Sequence, residues 1–148
     1  MDLVQLVYFS RNTVAGDDRA HLQQLRDILK VSQANNQRDG LTGFLIFDKT
    51  WFVQILEGER KAVTAAYDRI AKDTRHGRVQ TLDVRMIQMR DFGQWTMGGA
   101  MRNLDQQEVF LAHGISGQID PTKLSAQKIV ALASDLAALS GGRASQAA

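Results

Sequence analysis

The stretch LTGFLIFDKTWFVQILEG, residues 41–58, contains two apolar runs with three residues between them. Leu41–Phe47 and Trp51–Glu57 are rich in the aliphatic and aromatic side chains that favour β-strands. Residues 48–50 suit a short connection, so the stretch predicts a β-hairpin. Both runs are typical of strands packed between two layers. Gln54 does not fit that environment, because a buried amide requires hydrogen-bond partners.

Outward from the hairpin, the chain predicts strands and helices in the order β-α-β-β-α-β-β. The further strands are expected at Leu3–Ser10, Val79–Met89 and Trp95–Met101. The first helix is expected over residues 19–34 with Asp17 or Asp18 as its cap, and the second contains Val63, Ala66, Tyr67 and Ile70. This order predicts an α+β, ferredoxin-like fold with a mixed sheet and both helices on one face.

The opposite face of that sheet needs a cover, and the C-terminal third offers one. Ile129, Leu132, Ala133, Leu136 and Leu139 share one side of a predicted C-terminal helix. A shorter helical piece near Glu108–His113 precedes it. We expect this pair either to cover the free face or to form a dimer contact. The expected organisation is one domain over residues 1–104, a helical extension over 105–140 and a frayed tail over 141–148.

Composition excludes several functional classes. The chain has 148 residues, a net charge of +2 and no cysteine. Disulfides, cysteine-ligated metals and thiol nucleophiles are therefore excluded. The basic residues are scattered, the densest group being Arg75, His76 and Arg78, which is a weak signal for nucleic acid. The apolar start is too short for a membrane span and lacks a basic leader, so we expect a cytoplasmic protein without a membrane or nucleic-acid partner.

Polar side chains stand at otherwise apolar positions of the predicted strands. Tyr8 shares a strand face with Val4 and Leu6, and Gln54 shares one with Phe52 and Leu56. The first and third strands are commonly neighbours in a ferredoxin-like sheet, so Tyr8 and Gln54 are expected to meet, facing the helices.

Four further residues, near the predicted fifth strand and the end of the first helix, belong to the same group. Trp95 and Met97 lie two apart in the predicted fifth strand and should share a face. Asn35 and Asn36 follow the predicted end of the first helix.

Each of these features has a simpler explanation when taken alone. A strand tyrosine usually lies in the core, an asparagine pair at a helix end usually caps it, and a buried glutamine usually bonds to backbone. Together they describe a slot between two helices with apolar walls and an inner end of amides and a phenol. Such a slot suits a flat heteroaromatic ligand with donors and acceptors on one edge.

Four segments of the sequence carry a family resemblance. They are VYFSR at 7–11, SQANNQRDGLTGFLIF at 32–47, FVQILEG at 52–58 and FGQWTMGG at 92–99. In this order and spacing they resemble the BLUF domain, a blue-light sensor domain that uses flavin and has a ferredoxin-like fold. The likeness runs from about Leu3 to Met101. Residues after about 105 resemble the short BLUF type, which has two C-terminal helices and no output enzyme.

The resemblance implies a flavin ring between the two helices. Asn36 would hold its pyrimidine edge, because an amide donates and accepts at once, and Asn35 also matches a flavin-contacting position. Tyr8 and Ser10 belong to the first-strand motif, and Gln54 would bridge Tyr8 and the N5/O4 edge of the ring.

The rest of the flavin has weaker anchors in the sequence. No glycine-rich phosphate loop is present, so the ring would carry most of the binding. Arg75 and His76 would meet the phosphate tail or simply be solvated. FAD is the expected flavin, with FMN and riboflavin as alternatives.

The resemblance also implies a mechanism. Light would draw an electron and a proton from Tyr8, the Gln54 amide would rotate or tautomerise, and a new hydrogen bond to flavin O4 would redden the spectrum. Trp95 and Met97 would trade places near Gln54, and Trp95 would be a rival electron donor. The signal would pass through the fifth strand and the C-terminal helices to a separate effector, an enzyme or a transcription regulator. A homo-oligomer that is not itself an enzyme is expected.

Three rival functions fit the sequence less well. An acylphosphatase-like hydrolase needs an arginine in a phosphate-binding loop and an asparagine. Arg11 and Asn12 of this chain offer both, but no glycine nest precedes the first helix. A flavin-dependent redox enzyme would need a nicotinamide site, and no GxGxxG occurs. A plain ferredoxin-like interaction module would leave Tyr8, Gln54 and Asn36 as coincidences.

Overall fold

The computed structural model describes residues 2–13, 16–48, 50–72, 79–101, 107–116 and 119–140. Its strands are β1 (Leu3–Arg11), β2 (Thr42–Phe47), β3 (Trp51–Glu59), β4 (Gln80–Met86) and β5 (Gly98–Met101). Its helices are α1 (Asp18–Asp39), α2 (Arg60–Ala71), α3 (Gln107–Ala112) and α4 (Ala126–Ser140), with a short 3₁₀ turn at Pro121–Lys123. The predicted α+β, ferredoxin-like order is confirmed.

The five strands form one mixed sheet in the order β4-β1-β3-β2-β5. β1 is antiparallel to both β3 and β4, and β2 is antiparallel to β3. β5 lies at the edge and pairs with β2 in parallel. The predicted β2–β3 hairpin turns at Asp48, whose Oδ1 accepts from the backbone N–H groups of Thr50 and Trp51, both at 2.8 Å.

Alternation along the strands gives the sheet two apolar faces. The pocket face carries the strand residues Leu6, Tyr8, Leu45, Phe52 and Leu56, and packs against α1 and α2. The α4 face carries Val7, Phe9, Phe44, Ile46, Val53 and Ile55. The C-terminal helix covers this second face with Ile129, Leu132, Ala133 and Leu136. Of the two expected roles, a cover for the sheet or a dimer contact, the structure shows the cover. Leu139, placed on the same stripe, is 53% exposed.

Several element boundaries differ from the prediction. Asp17 is the cap of α1, accepting from the N–H of Ala20, but the helix continues to Asp39 instead of ending at 34. It stops at Gly40, whose left-handed conformation (φ 71°) favours glycine and lets its N–H reach the carbonyl oxygen of Asn36. β4 ends at Met86 and not at Met89, and β5 begins at Gly98 and not at Trp95.

Gly43 accounts for part of the GLTG motif. A Cβ atom at this position of β2 would overlap the carbonyl oxygen of Ile55 on the neighbouring strand. It would also lie 3.3 Å from Cε of Met97. Only glycine therefore allows β3 and the Met97 side chain to approach β2 this closely.

Within the described ranges, no helix is both long and apolar enough to cross a membrane.

The centre of the α4 face provides a test of the packing. Phe44 is fully buried, and its ring lies 5.8 Å from the ring of Phe92 and 6.4 Å from that of Trp95. We expect Phe44→Ala to lower the free energy of unfolding by about 3–5 kcal/mol, because a buried ring is lost and a cavity remains. Chemical denaturation measures this, with the half-exposed Leu139→Ala as control. A loss equal to that of the control would contradict the described packing.

Candidate functional site

A cavity of about 140 Å³ lies on the pocket face, between α1 and α2. The sequence-predicted residues Tyr8, Ser10, Asn35, Asn36 and Gln54 all line it. Ile28 and Val31 of α1, Ile70 of α2, and Leu45 and Phe52 of the sheet add apolar wall. The slot expected from the sequence is therefore present, with its amides and phenol gathered in one place.

The floor of the pocket is a cross-strand pair. Tyr8 of β1 and Gln54 of β3 are direct partners in the antiparallel register, so their side chains emerge side by side. The Tyr8 hydroxyl donates to Oε1 of Gln54, and the two side chains are 1% and 5% exposed. The Nε2 group of Gln54 faces the sulfur of Met97 at 3.6 Å. The buried amide thus accepts a hydrogen bond through Oε1 and makes a weak donor contact through Nε2.

The last turns of α1 hold the chain that leads into β5. Asn36 Nδ2 donates to the carbonyl oxygen of Thr96 at 2.7 Å, and Gln33 Nε2 donates to that of Met97 at 3.0 Å. Asn36 is 3% exposed and lines the pocket as well. A side chain that touches both the pocket and residue 96 connects the two mechanically.

Trp95 and Met97 do not share a face, so that prediction was wrong. Met97 packs on the pocket face beside Tyr8, whereas Trp95 packs on the α4 face against Phe44. The alternation rule failed because β5 starts only at Gly98, and the preceding residues form bends instead of a strand. Met97 is therefore the residue that contacts Gln54, and the Trp95 ring lies across the sheet from Tyr8.

One charged residue of the pocket, Arg69, was not predicted from the sequence. Arg69 of α2 lines the cavity and lies 3.7 Å from Asp39 at the end of α1. The hydrogen bond from Arg38 lowers the pKa of Asp39. Desolvation of the carboxyl group opposes this shift, and the positive charges of Arg38 and Arg69 add to it. In the sequence, Arg69 is next to Ile70, which belongs to the apolar stripe of α2. A basic residue beside such a stripe lies at the edge of a buried surface, and this was the available signal.

The sequence also predicts two anchors for a phosphate tail. Arg75 and His76 lie outside the described residues. Among the residues that are described, no group of His, Asp and Glu is suited to a metal ion.

The pocket fits the ligand that the sequence suggested. Apolar walls suit an aromatic ring system, and the Asn36 and Gln54 amides each carry a donor and an acceptor for its polar edge. Arg69 adds a cationic group at the lining. These features match an isoalloxazine ring, which combines a flat apolar body with carbonyl and N–H groups.

Comparison with known proteins identifies the same cofactor class. The family model described as "BLUF: Sensors of blue-light using FAD" matches residues 3–98. The photoactivated adenylate cyclase subunit alpha of Euglena gracilis is 28% identical over 95 residues, which is 64% of this chain and 9% of that protein. The blue light- and temperature-regulated antirepressor BluF of Escherichia coli K12 is 27% identical over 92 residues, 62% of this chain and 22% of the antirepressor. This chain thus spans only a minor part of these relatives.

Two solved structures match over most of both chains. BlsA in its photo-activated state has a TM-score of 0.76 at 31% identity, covering 90% of this chain and 94% of that one. The BLUF protein BlrB in its dark state has a TM-score of 0.76 at 25% identity, covering 92% and 98%. With the family match over residues 3–98 and the pocket described above, the chain belongs to the BLUF family of blue-light sensors that use flavin.

Proposed function

We propose that this chain is a photoreceptor that binds flavin noncovalently between α1 and α2 and signals through a hydrogen-bond switch of Tyr8, Gln54 and flavin. The observation that carries the proposal is the Tyr8–Gln54 pair, buried and bonded on the floor of the pocket. A non-photoactive interaction module would have no use for this pair. The chain would therefore act as a sensor and not as an enzyme.

Binding would rest on the ring and not on phosphates. Asn36 and Asn35 lie on the α1 side of the cavity and would hold the pyrimidine edge, while Ser10 lies on the sheet side with Tyr8. Arg69 would donate to a ring carbonyl or pair with the phosphate tail, and Arg75 and His76 are further candidates for the phosphates. FAD is the proposed flavin. FMN and riboflavin carry the same ring and would fit the same contacts.

The switch would use what each side chain can give. When bound, flavin supplies absorption of blue light and, once excited, a strong oxidant. Tyr8 would donate an electron together with its hydroxyl proton, and Gln54 Oε1 is the acceptor already in place for that proton. Both would return to Tyr8, so the dark and lit forms share one oxidation state. No cysteine is available for a covalent adduct with flavin.

Gln54 would hold a different hydrogen-bond pattern in the lit form. Among the described residues, the Met97 sulfur is the partner of its Nε2 group, and because sulfur is a weak acceptor, rotation of the amide gives up little. The rotated or tautomerised amide would donate to the O4 edge of flavin and lower the energy of the transition. Met97 would lose its contact with Gln54 at the same moment.

The signal would leave through the chain from Met97 into β5. β5 contacts α4, and Trp95 lies on the α4 face, so displacement of Met97 reaches the C-terminal helix. The resulting change would be read by a separate effector, an enzyme or a transcription regulator, and the chain would assemble as a homo-oligomer. Photoactivated cyclase subunits and an antirepressor among its relatives make both effector classes reasonable.

An absorption spectrum tests the proposal directly. The purified chain is expected to be yellow, to shift slightly to longer wavelength under blue light and to return in the dark. A colourless protein that also does not bind added flavin would contradict the proposed flavin site. A flavin that bleaches instead of shifting would point to a redox enzyme and remove the switch.

A further inference from the structure

A row of polar side chains crosses the sheet on the α4 face, behind the pocket. Arg85, Gln5, Glu57 and Thr42 are consecutive cross-strand partners on β4, β1, β3 and β2. Gln5 is 1% exposed and Glu57 is 0% exposed. Arg85 Nε donates to Gln5 Oε1 at 3.0 Å, and Gln5 Nε2 donates to Glu57 Oε2 at 2.9 Å. A fully buried carboxylate therefore stands at the centre of the row.

Glu57 uses both carboxylate oxygens on the chain between β4 and β5. Its Oε2 accepts from the backbone N–H of Asp91 at 2.8 Å, and its Oε1 accepts from that of Phe92 at 2.9 Å. The Thr42 hydroxyl adds a bond to Oε1 at 3.2 Å. Four donors account for the burial of this charge, and two of them belong to consecutive residues of one connection.

The residue before this pair is fastened as well. Arg90 Nη1 donates to Thr42 Oγ1 at 3.0 Å and to the Glu57 carbonyl oxygen at 3.2 Å, and its Nη2 donates to the Gly40 carbonyl oxygen at 2.8 Å. Residues 90–92 are thus tied to β2, β3 and the end of α1. We call this set of bonds the 90–92 latch.

The chain beyond the latch is held by different partners. Asn36 bonds to Thr96, and Gln54 contacts Met97, so residues 96–97 are attached to the pocket. Residues 93–97 therefore run from a fixed point behind the sheet to a contact with the photoswitch. Glu57 and Gln54, three apart on β3, lie at the two ends of this segment on opposite faces of the sheet.

We propose that Glu57 is a positioning residue that fixes the start of residues 93–97, so that a change at Met97 is delivered to Trp95 and α4. This inference rests on the proposed function. A fixed start confines the displacement to the few residues between Phe92 and β5. Without the latch, residues 90–92 would move together with residues 93–97. The displacement would then be lost in this connection and would not reach Trp95.

Hydrogen exchange in the dark tests the latch itself. At least one of the Asp91 and Phe92 amides is expected to exchange at least about tenfold more slowly in the unmodified chain than in Glu57→Gln. The glutamine keeps the shape but places an NH₂ group against an N–H donor, so at least one bond is lost. Glu59→Gln removes the same charge from an exposed position of the same strand and should leave both amides protected. Fast exchange of both amides in the unmodified chain would overturn the latch.

Hydrogen exchange under blue light tests whether the change at Met97 is passed to Trp95 and α4. In the unmodified, flavin-loaded chain, illumination should change exchange at Trp95 and beyond but not at Asp91 or Phe92. In Glu57→Gln the red shift should persist while the light-induced change spreads back to residues 91–92. Light-induced exchange that already includes Asp91 and Phe92 in the unmodified chain would overturn the inference.

Two outcomes separate this inference from the function on which it rests. If Glu57→Gln fails to fold, the exchange map of the unmodified chain still decides whether the boundary lies at Phe92, and Arg90→Lys weakens the same latch at its surface. If the flavin spectrum does not respond to light, the proposed function fails and the delivery role fails with it. The dark protection of residues 91–92 would then stand as structure alone.

Discussion

Tyr8→Phe is expected to keep flavin bound and to lose the light-induced red shift completely. The substitution removes one hydroxyl group from a side chain that is 1% exposed, so the shape of the pocket is preserved. It also removes the donor to Gln54 Oε1 and the phenol that gives up an electron and a proton together. Phenylalanine can do neither. Absorption spectra before and after blue light, on protein of matched flavin content, measure the effect.

Tyr67→Phe is the matched control for this variant. Tyr67 is the second of the two tyrosines in the chain, and its ring lies 5.5 Å from that of Tyr8 in an edge-on arrangement. Its hydroxyl accepts from Thr81 Oγ1 at 3.0 Å and not from the switch. This variant should keep the red shift. A normal shift in Tyr8→Phe would instead assign the donor role to another residue, and Trp95, across the sheet, is poorly placed for it.

Gln54→Ala should likewise bind flavin and show no light-induced shift. The variant lacks the amide that would accept from Tyr8 and later donate to the ring, so no alternative hydrogen-bond pattern exists. We also expect a loss of about 1–3 kcal/mol in the free energy of unfolding, because buried hydrogen bonds are removed without replacement. Flavin content, the light-minus-dark difference spectrum and chemical denaturation report the three effects.

Gln80→Ala provides the comparison, since Gln80 is a strand glutamine at an exposed position of β4. It should retain the photocycle and nearly all of its stability. A Gln54→Ala protein that still cycles between two spectra would place the switch elsewhere in the pocket.

Much of the fold was predictable because β-strands carry a simple alternation. The apolar runs on both sides of residues 48–50 specified the hairpin, and the usual adjacency of first and third strands placed Tyr8 beside Gln54. Helical spacing in residues 129–136 likewise gave the cover of the α4 face. These predictions depended on local periodicity and on one common topology.

The wrong predictions concern residues whose conformation depends on tertiary contacts and not on local sequence periodicity. α1 runs through Asn35 and Asn36, poor helix formers, because Asn36 gains a tertiary bond to Thr96 and the stop comes at Gly40. Trp95 and Met97 separate because residues before β5 are bends. Arg69 and Glu57 were missed because their roles depend on partners far away in sequence, which no periodicity reports.

The position of β5 at the edge of the sheet bears on how often such a sensor can be used. In the described part of the chain, β5 has four residues and pairs with β2 alone, so displacing it disturbs one pairing and leaves the other three ladders intact. Under the proposed mechanism, the strand that moves is therefore not one of the strands that keep the molecule folded. Repeated illumination is expected to leave the pairings among β1, β2, β3 and β4 folded, because a displacement confined to β5 opens none of them.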